Sequence, residues 1–129
     1  MKHLLLVMAG GGVGAGCRYG MTLLTTRLFG LGFPWGTAIC NVVGSLAMGL
    51  LVGAMAQGYF GDGRQANEAR LLLGVGMLGG FTTFSTFSLD VIALWERGDT
   101  AEAAAYVLGS CAIGFAGLVV GLRVMRGLA

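Results

Sequence analysis

The sequence predicts an all-α membrane protein that crosses the bilayer four times, and three observations carry that prediction. Hydrophobic residues make up 56% of the 129 positions and charged residues 11%, with a mean hydropathy of +0.82. Soluble domains carry about 25% charged residues, so this chain has too few to cover a water-facing surface. The few charges fall between long apolar runs, each close to the roughly 20 residues that a helix needs to cross the hydrocarbon core. Finally, the chain holds 25 glycines against a single proline, Pro34. That glycine load weakens helices in water but lets membrane helices approach one another closely.

The spans follow from the charges. The first covers about 4–26 and is interrupted only by Arg18. Lys2 followed by an apolar run opens like a secretory signal, and Gly14-Ala15-Gly16-Cys17 is faintly like a lipoprotein cleavage site. A glycine stands where such a site wants leucine, however, and the apolar pattern resumes after Arg18, so an uncleaved first helix is expected. A turn near 30–34 leads to a second span at about 36–57. Residues 58–67 are polar and glycine-rich and form the longest loop. The third span, about 71–94, is interrupted only by Asp90, and Glu96-Arg97-Gly98-Asp99 reads as a tight polar turn. The fourth covers about 103–122 and ends at Arg123 and Arg126. Residues 1–129 thus have room for one four-helix membrane domain and nothing else.

Four spans put both termini and the middle loop on one side. That side carries Lys2, Arg64, Arg70, Arg123 and Arg126, against Arg27 and Arg97 on the other, which leans towards cytoplasmic termini. Trp35, Tyr59 and Trp95 fall near span ends, where interfacial aromatics belong. Small residues recur at helix-face spacing: Gly12, Gly16 and Gly20 in the first span, Gly49 and Gly53 in the second, Ser110, Gly114, Gly117 and Gly121 in the fourth. These are expected to be faces of close helix contact.

Several function classes are excluded. A net charge of +2 without a Lys/Arg run gives no footprint for nucleic acid. Cys17, Cys40 and Cys111 lie far apart in apolar stretches and read as small packing residues, neither a disulfide framework nor a zinc site. Gly74-Val75-Gly76-Met77-Leu78-Gly79 fits the dinucleotide pattern GxGxxG but lacks the strand that the pattern requires. The lone histidine, His3, is terminal, and no nucleophile–base pair is visible, so no enzyme is expected.

Polar groups inside membrane spans are costly, so each packs against a partner or lines a pathway. Four places stand out: Arg18, Asn41, the run Gly79-Gly80-Phe81-Thr82-Thr83-Phe84-Ser85-Thr86-Phe87-Ser88, and Tyr106 with Ser110. The run falls near the middle of the third span. Paired glycines tolerate unwinding, and hydroxyls satisfy backbone groups that unwinding frees, so a broken third helix is expected rather than a merely bent one. Non-helical backbone at that depth is tolerated only where protein or a cavity surrounds it. A break of this kind exposes carbonyl oxygens and helix ends, from which transporters build ion sites.

With these residues in hand, the chain resembles the CrcB/Fluc family of fluoride channels over essentially its whole length. The resemblance rests on Gly11-Gly12-Val13-Gly14-Ala15-Gly16-Cys17-Arg18-Tyr19 in the first span and Gly36-Thr37-Ala38-Ile39-Cys40-Asn41-Val42-Val43-Gly44-Ser45 in the second. Its strongest part is the run 79–88 in the third. The resemblance implies an antiparallel, dual-topology dimer with two fluoride pores and one Na⁺ at its centre, held by backbone carbonyls that map to Gly79 and Thr82. It also implies that Phe84 and Phe87 line the pores with Asn41, and that Tyr106 and Ser110 lie on a polar track of the fourth helix. Gly114 stands where some members have a hydroxyl, and Asp90 where many carry Glu. Arg18 matches a family arginine. The implied partners are fluoride, the lipid bilayer and an inverted second copy, in the cytoplasmic membrane of a prokaryote.

The residue chemistry suits a small anion. Fluoride is tightly hydrated, so a pathway must supply donors and positive potential. Asn41 offers N–H donors, while Ser85, Thr86, Tyr106 and Ser110 offer hydroxyls. Phenyl rings have a positive edge with which Phe84 and Phe87 meet an anion. Each residue also has a plainer reading. Asn41 reads equally as an interhelical clasp, a bond that averages about 0.6 kcal/mol in membranes. Arg18 reads as a snorkelling side chain, the phenylalanines as packing aromatics, and Asp90 as a group facing water or a vestibule. Two other functions fit four spans: a proton-coupled exporter of drug cations similar to the small multidrug resistance proteins, and a structural subunit of a larger membrane complex. The exporter needs a membrane-embedded carboxylate, and Asp90 is the only one within a span.

Overall fold

The computed structural model describes residues 1–127 and is helical throughout, with no strand among the described residues. Helix α1 runs Lys2–Phe29 and α2 runs Trp35–Ala56. A third helical path begins with α3, Arg64–Ala69, widens into a π-helical stretch over Arg70–Leu78, and returns to α geometry in the short α4, Gly79–Phe81. After Thr82 and Thr83 it resumes as α5, Phe84–Glu96, and α6 closes the chain at Thr100–Gly127. Three of these paths are long and apolar enough to cross a membrane: Trp35–Ala56, Arg64–Glu96 and Thr100–Gly127. Helix α1 has the length, at 28 residues, but its glycines and Arg18 dilute its hydropathy.

The helices pack in two close pairs, α1 against the π-helical stretch and α4, and α2 against α6, with α1 and α2 joining the pairs. Connections are short because glycines take the positive φ angles that their turns require, for example Gly30 at φ 77° and Gly98 at φ 88°. Polar contacts mark the two ends. At one, Glu68 accepts from Lys2 Nζ at 2.7 Å and from Arg64 Nε at 2.8 Å, tying the start of α1 to α3. At the other, Arg97 Nη2 donates to Gly32 O at 2.7 Å while its Nε meets Asp99 Oδ2 at 3.0 Å. The expected tight turn at 96–99 is present.

The glycine faces divide in an instructive way. The expected close faces of α2 and α6 are there, and they meet each other: a Cβ on Gly121 would come within 2.5 Å of Leu46 O, and one on Gly53 within 2.6 Å of the Met125 side chain. In α1 the close face is a different one. Gly10 and Gly14 lie against the backbone of the π-helical stretch, whereas Gly12, Gly16 and Gly20 face open space. Both stripes have helical spacing, so spacing alone does not choose between them.

Little of the chain is buried. The interior cluster is Leu94, Ala103 and Tyr106 with Phe33, Phe87 and Val91 around it. Large apolar side chains such as Leu5, Leu108 and Phe115 point outward, which is how helices meet a lipid solvent rather than water. Of the cysteines, Cys40 is buried as expected, while Cys17 and Cys111 face outward, and none is paired.

Glu68 stands near the end of α3, before the apolar part of the path begins. The hydrogen bonds from Lys2 and then Arg64 hold its carboxyl well below the usual carboxylate range. A depressed folded-state pKa gives stability that is present above the unfolded value and lost as pH falls through the folded value. The tether between α1 and α3 is therefore expected to persist from pH 7 to pH 5 and to release only in stronger acid. Amide exchange of residues 2–6 across that range checks this: release between pH 7 and 5 contradicts it, as does indifference to Glu68→Gln.

Candidate functional site

The third path breaks where the run 79–88 predicts, but not at the glycine pair. Gly79 keeps helical angles, φ −63° and ψ −34°. The unwound residues are Thr82, at φ −84° and ψ 156°, and Thr83, at φ −153° and ψ 124°. Gly80 serves proximity instead, since a Cβ there would come within 2.5 Å of Gly11 O in α1. Hydroxyls do part of the repair. Thr82 Oγ1 donates to Leu78 O at 3.0 Å, and Thr83 Oγ1 accepts from Thr86 N at 3.2 Å as the N-cap of α5.

The remaining repair comes from α2. Asn41 presents both ends of its amide to Thr83: Oδ1 accepts from Thr83 N at 2.8 Å, and Nδ2 donates to Thr83 O at 3.1 Å. One side chain thus replaces both hydrogen bonds that a continuous helix would give that residue. Ser45 Oγ in turn donates to Asn41 O at 2.8 Å.

Redirecting these donors leaves particular carbonyls without helical partners. In a continuous helix, Gly79 O would accept from Thr83 N, and Thr82 O from Thr86 N. Thr83 N goes to Asn41, and Thr86 N goes to Thr83 Oγ1. The two carbonyls to which the family resemblance assigns a cation are therefore ones that the break has freed. Between them, Gly80 O accepts from Arg18 Nε at 3.1 Å. Arg18 is turned onto the break rather than snorkelling to a span end.

The other expected residues fall around three cavities. Asn41, Ser45, Thr82, Thr83 and Phe84 line an open groove of about 320 Å³ beside the break. Thr86 and Asp90 line a second cavity of about 260 Å³ with Thr22, Thr37 and Arg97. Tyr106 and Ser110 border an apolar groove of about 340 Å³ between α2 and α6. Phe87 joins these regions, with its ring centroid 6.1 Å from that of Phe84 and 4.9 Å from that of Tyr106. Tyr106 is buried, not a belt aromatic, and its hydroxyl donates to Asp90 Oδ2 at 3.1 Å. Ser85 is exposed and its hydroxyl lies 3.3 Å from Thr83 Oγ1. Phe84 is 81% exposed and leaves one side of its groove without a wall. Thr83, the hinge of the whole arrangement, is not set apart by its own sequence: it is one of five hydroxyl residues in the run 79–88.

These features define a class: a polytopic helical membrane protein organised around a helix that opens midway to free backbone carbonyls beside hydroxyl and aromatic groups. The chain belongs to the CrcB family, whose sequence profile, described as "CrcB-like protein, Camphor Resistance (CrcB)", matches residues 5–122. It is 53% identical over 128 residues to the Fluoride-specific ion channel FluC of Chelativorans sp. (strain BNC1), covering 99% of each chain. Identity is 46% to the protein of the same name from Mesorhizobium japonicum, with 99% of each covered. With that of Paracoccus denitrificans it is 48%, over 99% of this chain and 98% of the relative.

Proposed function

We propose that this chain is the subunit of a fluoride-selective channel that exports fluoride passively across the bacterial cytoplasmic membrane. Relatives of nearly equal length at about half identity carry that name. In this reading α1 is the fourth crossing, and the chain is one four-helix domain that works as an antiparallel dimer with two pores.

The observation that carries the dimer is the open groove at the break. Phe84 and Ser85 are exposed beside polar backbone that lipid does not tolerate. An inverted second copy closes the groove and supplies the missing wall. It also brings a second pair of freed carbonyls to the first, so Gly79 O and Thr82 O from both subunits make an oxygen cage for Na⁺. Uncommitted carbonyl oxygens at a helix break are the donor type that suits this hard cation. A cation held there raises the positive potential along the anion path.

The chain's own groups then do the selecting. The second N–H of Asn41 Nδ2, the Ser85 and Thr86 hydroxyls, and Ser110 donate to the anion, while Phe84 and Phe87 offer their ring edges. Tyr106 has its proton committed to Asp90, so its part is to fix the Phe87 ring against which it packs. Many weak donors and no fixed full charge favour fast passage over capture.

The test is efflux from liposomes loaded with potassium fluoride, followed by electrode after valinomycin is added. Rapid fluoride release with little chloride release is expected. Phe84→Ile, which keeps bulk but removes the ring edge, should slow release by about two- to tenfold, since one aromatic edge contact is worth about 0.5–1.5 kcal/mol. Well-folded protein that releases no fluoride refutes the channel, and unchanged release by Phe84→Ile removes that ring from the path.

A further inference from the structure

We infer that Arg18 is a positioning residue of the break, which satisfies Gly80 O and so narrows the set of carbonyls that stay free. Helix interruption at 82–83 deprives Gly80 O of the donor it would have from Phe84 N, just as it deprives Gly79 O and Thr82 O. A carbonyl without a donor at that depth is costly unless protein or water satisfies it. Gly80 O is met by Arg18 Nε at 3.1 Å from α1, 62 residues away in the chain.

The approach is possible because α1 and α4 touch almost backbone to backbone around Gly11, Gly14 and Gly80. Arg18 lies one helical turn beyond Gly14 and so reaches along α4 towards the break. Its own main chain is tied in, since Thr22 Oγ1 donates to Arg18 O at 3.1 Å. Asn41 from α2 and Arg18 from α1 therefore grip the break from two sides: Asn41 fixes Thr83 and Arg18 fixes Gly80, while Gly79 O, Phe81 O and Thr82 O are left without a protein donor. Arginine suits the position because it stays charged in any protein setting and its planar fork presents donors at fixed angles. Lysine keeps the charge and a donor and should serve in part.

The role of those freed carbonyls rests on the channel reading above, but the grip itself is testable without it. Amide hydrogen exchange of the folded, reconstituted protein is measured for Arg18→Met and Arg18→Lys. Loss of one charge-assisted hydrogen bond should raise exchange in residues 82–86 of Arg18→Met by about tenfold, with α2 and α6 unchanged. Arg18→Lys should stay within about threefold of wild type there, because an ammonium still donates to the carbonyl. Unchanged exchange in Arg18→Met, or a rise spread equally over α2 and α6, overturns the proposal. So does Arg18→Lys exchanging as fast as Arg18→Met, or beyond threefold when only the lysine variant folds. Fluoride efflux measured in parallel keeps the two readings apart: wild type that passes no fluoride refutes the channel and leaves the exchange result to decide Arg18.

Discussion

Fluoride efflux through Asn41→Asp is expected to fall by about two to three orders of magnitude while the protein still folds. The aspartate keeps an oxygen where Oδ1 now accepts from Thr83 N at 2.8 Å. It loses the donor that Nδ2 gives to Thr83 O at 3.1 Å and sets a negative charge beside an anion path. Two unit charges 4 Å apart interact by about 4 kcal/mol at an effective dielectric near 20, and each 1.36 kcal/mol is about tenfold in rate. Asn41→Ala should fail differently. It strands both Thr83 N–H and Thr83 C=O, at about 1–3 kcal/mol for each buried group left unpaired. Reduced thermal stability is therefore expected from alanine, and reduced conduction with a near-normal melting profile from aspartate. Equal efflux from Asn41→Asp and wild type would mean that the amide is a clasp alone.

Gly14→Ala is expected to be the most disruptive single methyl in the chain. The added Cβ would collide with the backbone carbonyl of Met77 and lie 2.8 Å from Phe81 N, with no flexible side-chain end to give way. Overpacking into rigid surroundings costs about 1–3 kcal/mol and can cost more where backbone must shift. Here the shift would separate α1 from α4. Gly12→Ala, whose methyl meets nothing in the chain, should leave the subunit's packing within about 0.5 kcal/mol of wild type. Unfolding of the two variants in detergent, monitored by circular dichroism, separates the cases. Equal stability would mean that α1 does not sit against the π-helical stretch as described.

That contrast shows how far residue patterns reach in a membrane protein. Helix positions were legible because charges are excluded from apolar runs: α2 begins and ends within a residue of the expected 36–57. The break was legible from composition, since Gly79-Gly80 followed by hydroxyls is a poor continuous helix. Its location was not. Thr83 unwinds because an amide 42 residues earlier replaces its helical bonds, and nothing local marks that. The choice between two glycine stripes in α1 depends on which face meets a neighbour, which is tertiary information. The π-helical widening over Arg70–Leu78 left no recognised signal; its glycines read only as a chance dinucleotide pattern. Of the polar residues, Asn41 turned out to be a clasp in this chain while still having an N–H to spare. Tyr106 and Asp90, read separately, proved to be a bonded pair.

The distance along the chain between Asn41 and Thr83 also sets an order in time. Synthesis delivers Asn41 into the bilayer before Thr83, so its amide waits, unpaired or borrowing a lipid or water partner. Arg64–Glu96 is apolar enough to enter as a single 33-residue segment, and isolated in lipid it gains most by staying helical throughout. Only lateral docking of that segment onto α2 brings it the amide that makes unwinding affordable. The opened helix is thus a product of assembly rather than of insertion, and a chain caught before docking would hold the carbonyls from Gly79 to Thr82 in ordinary helical bonds.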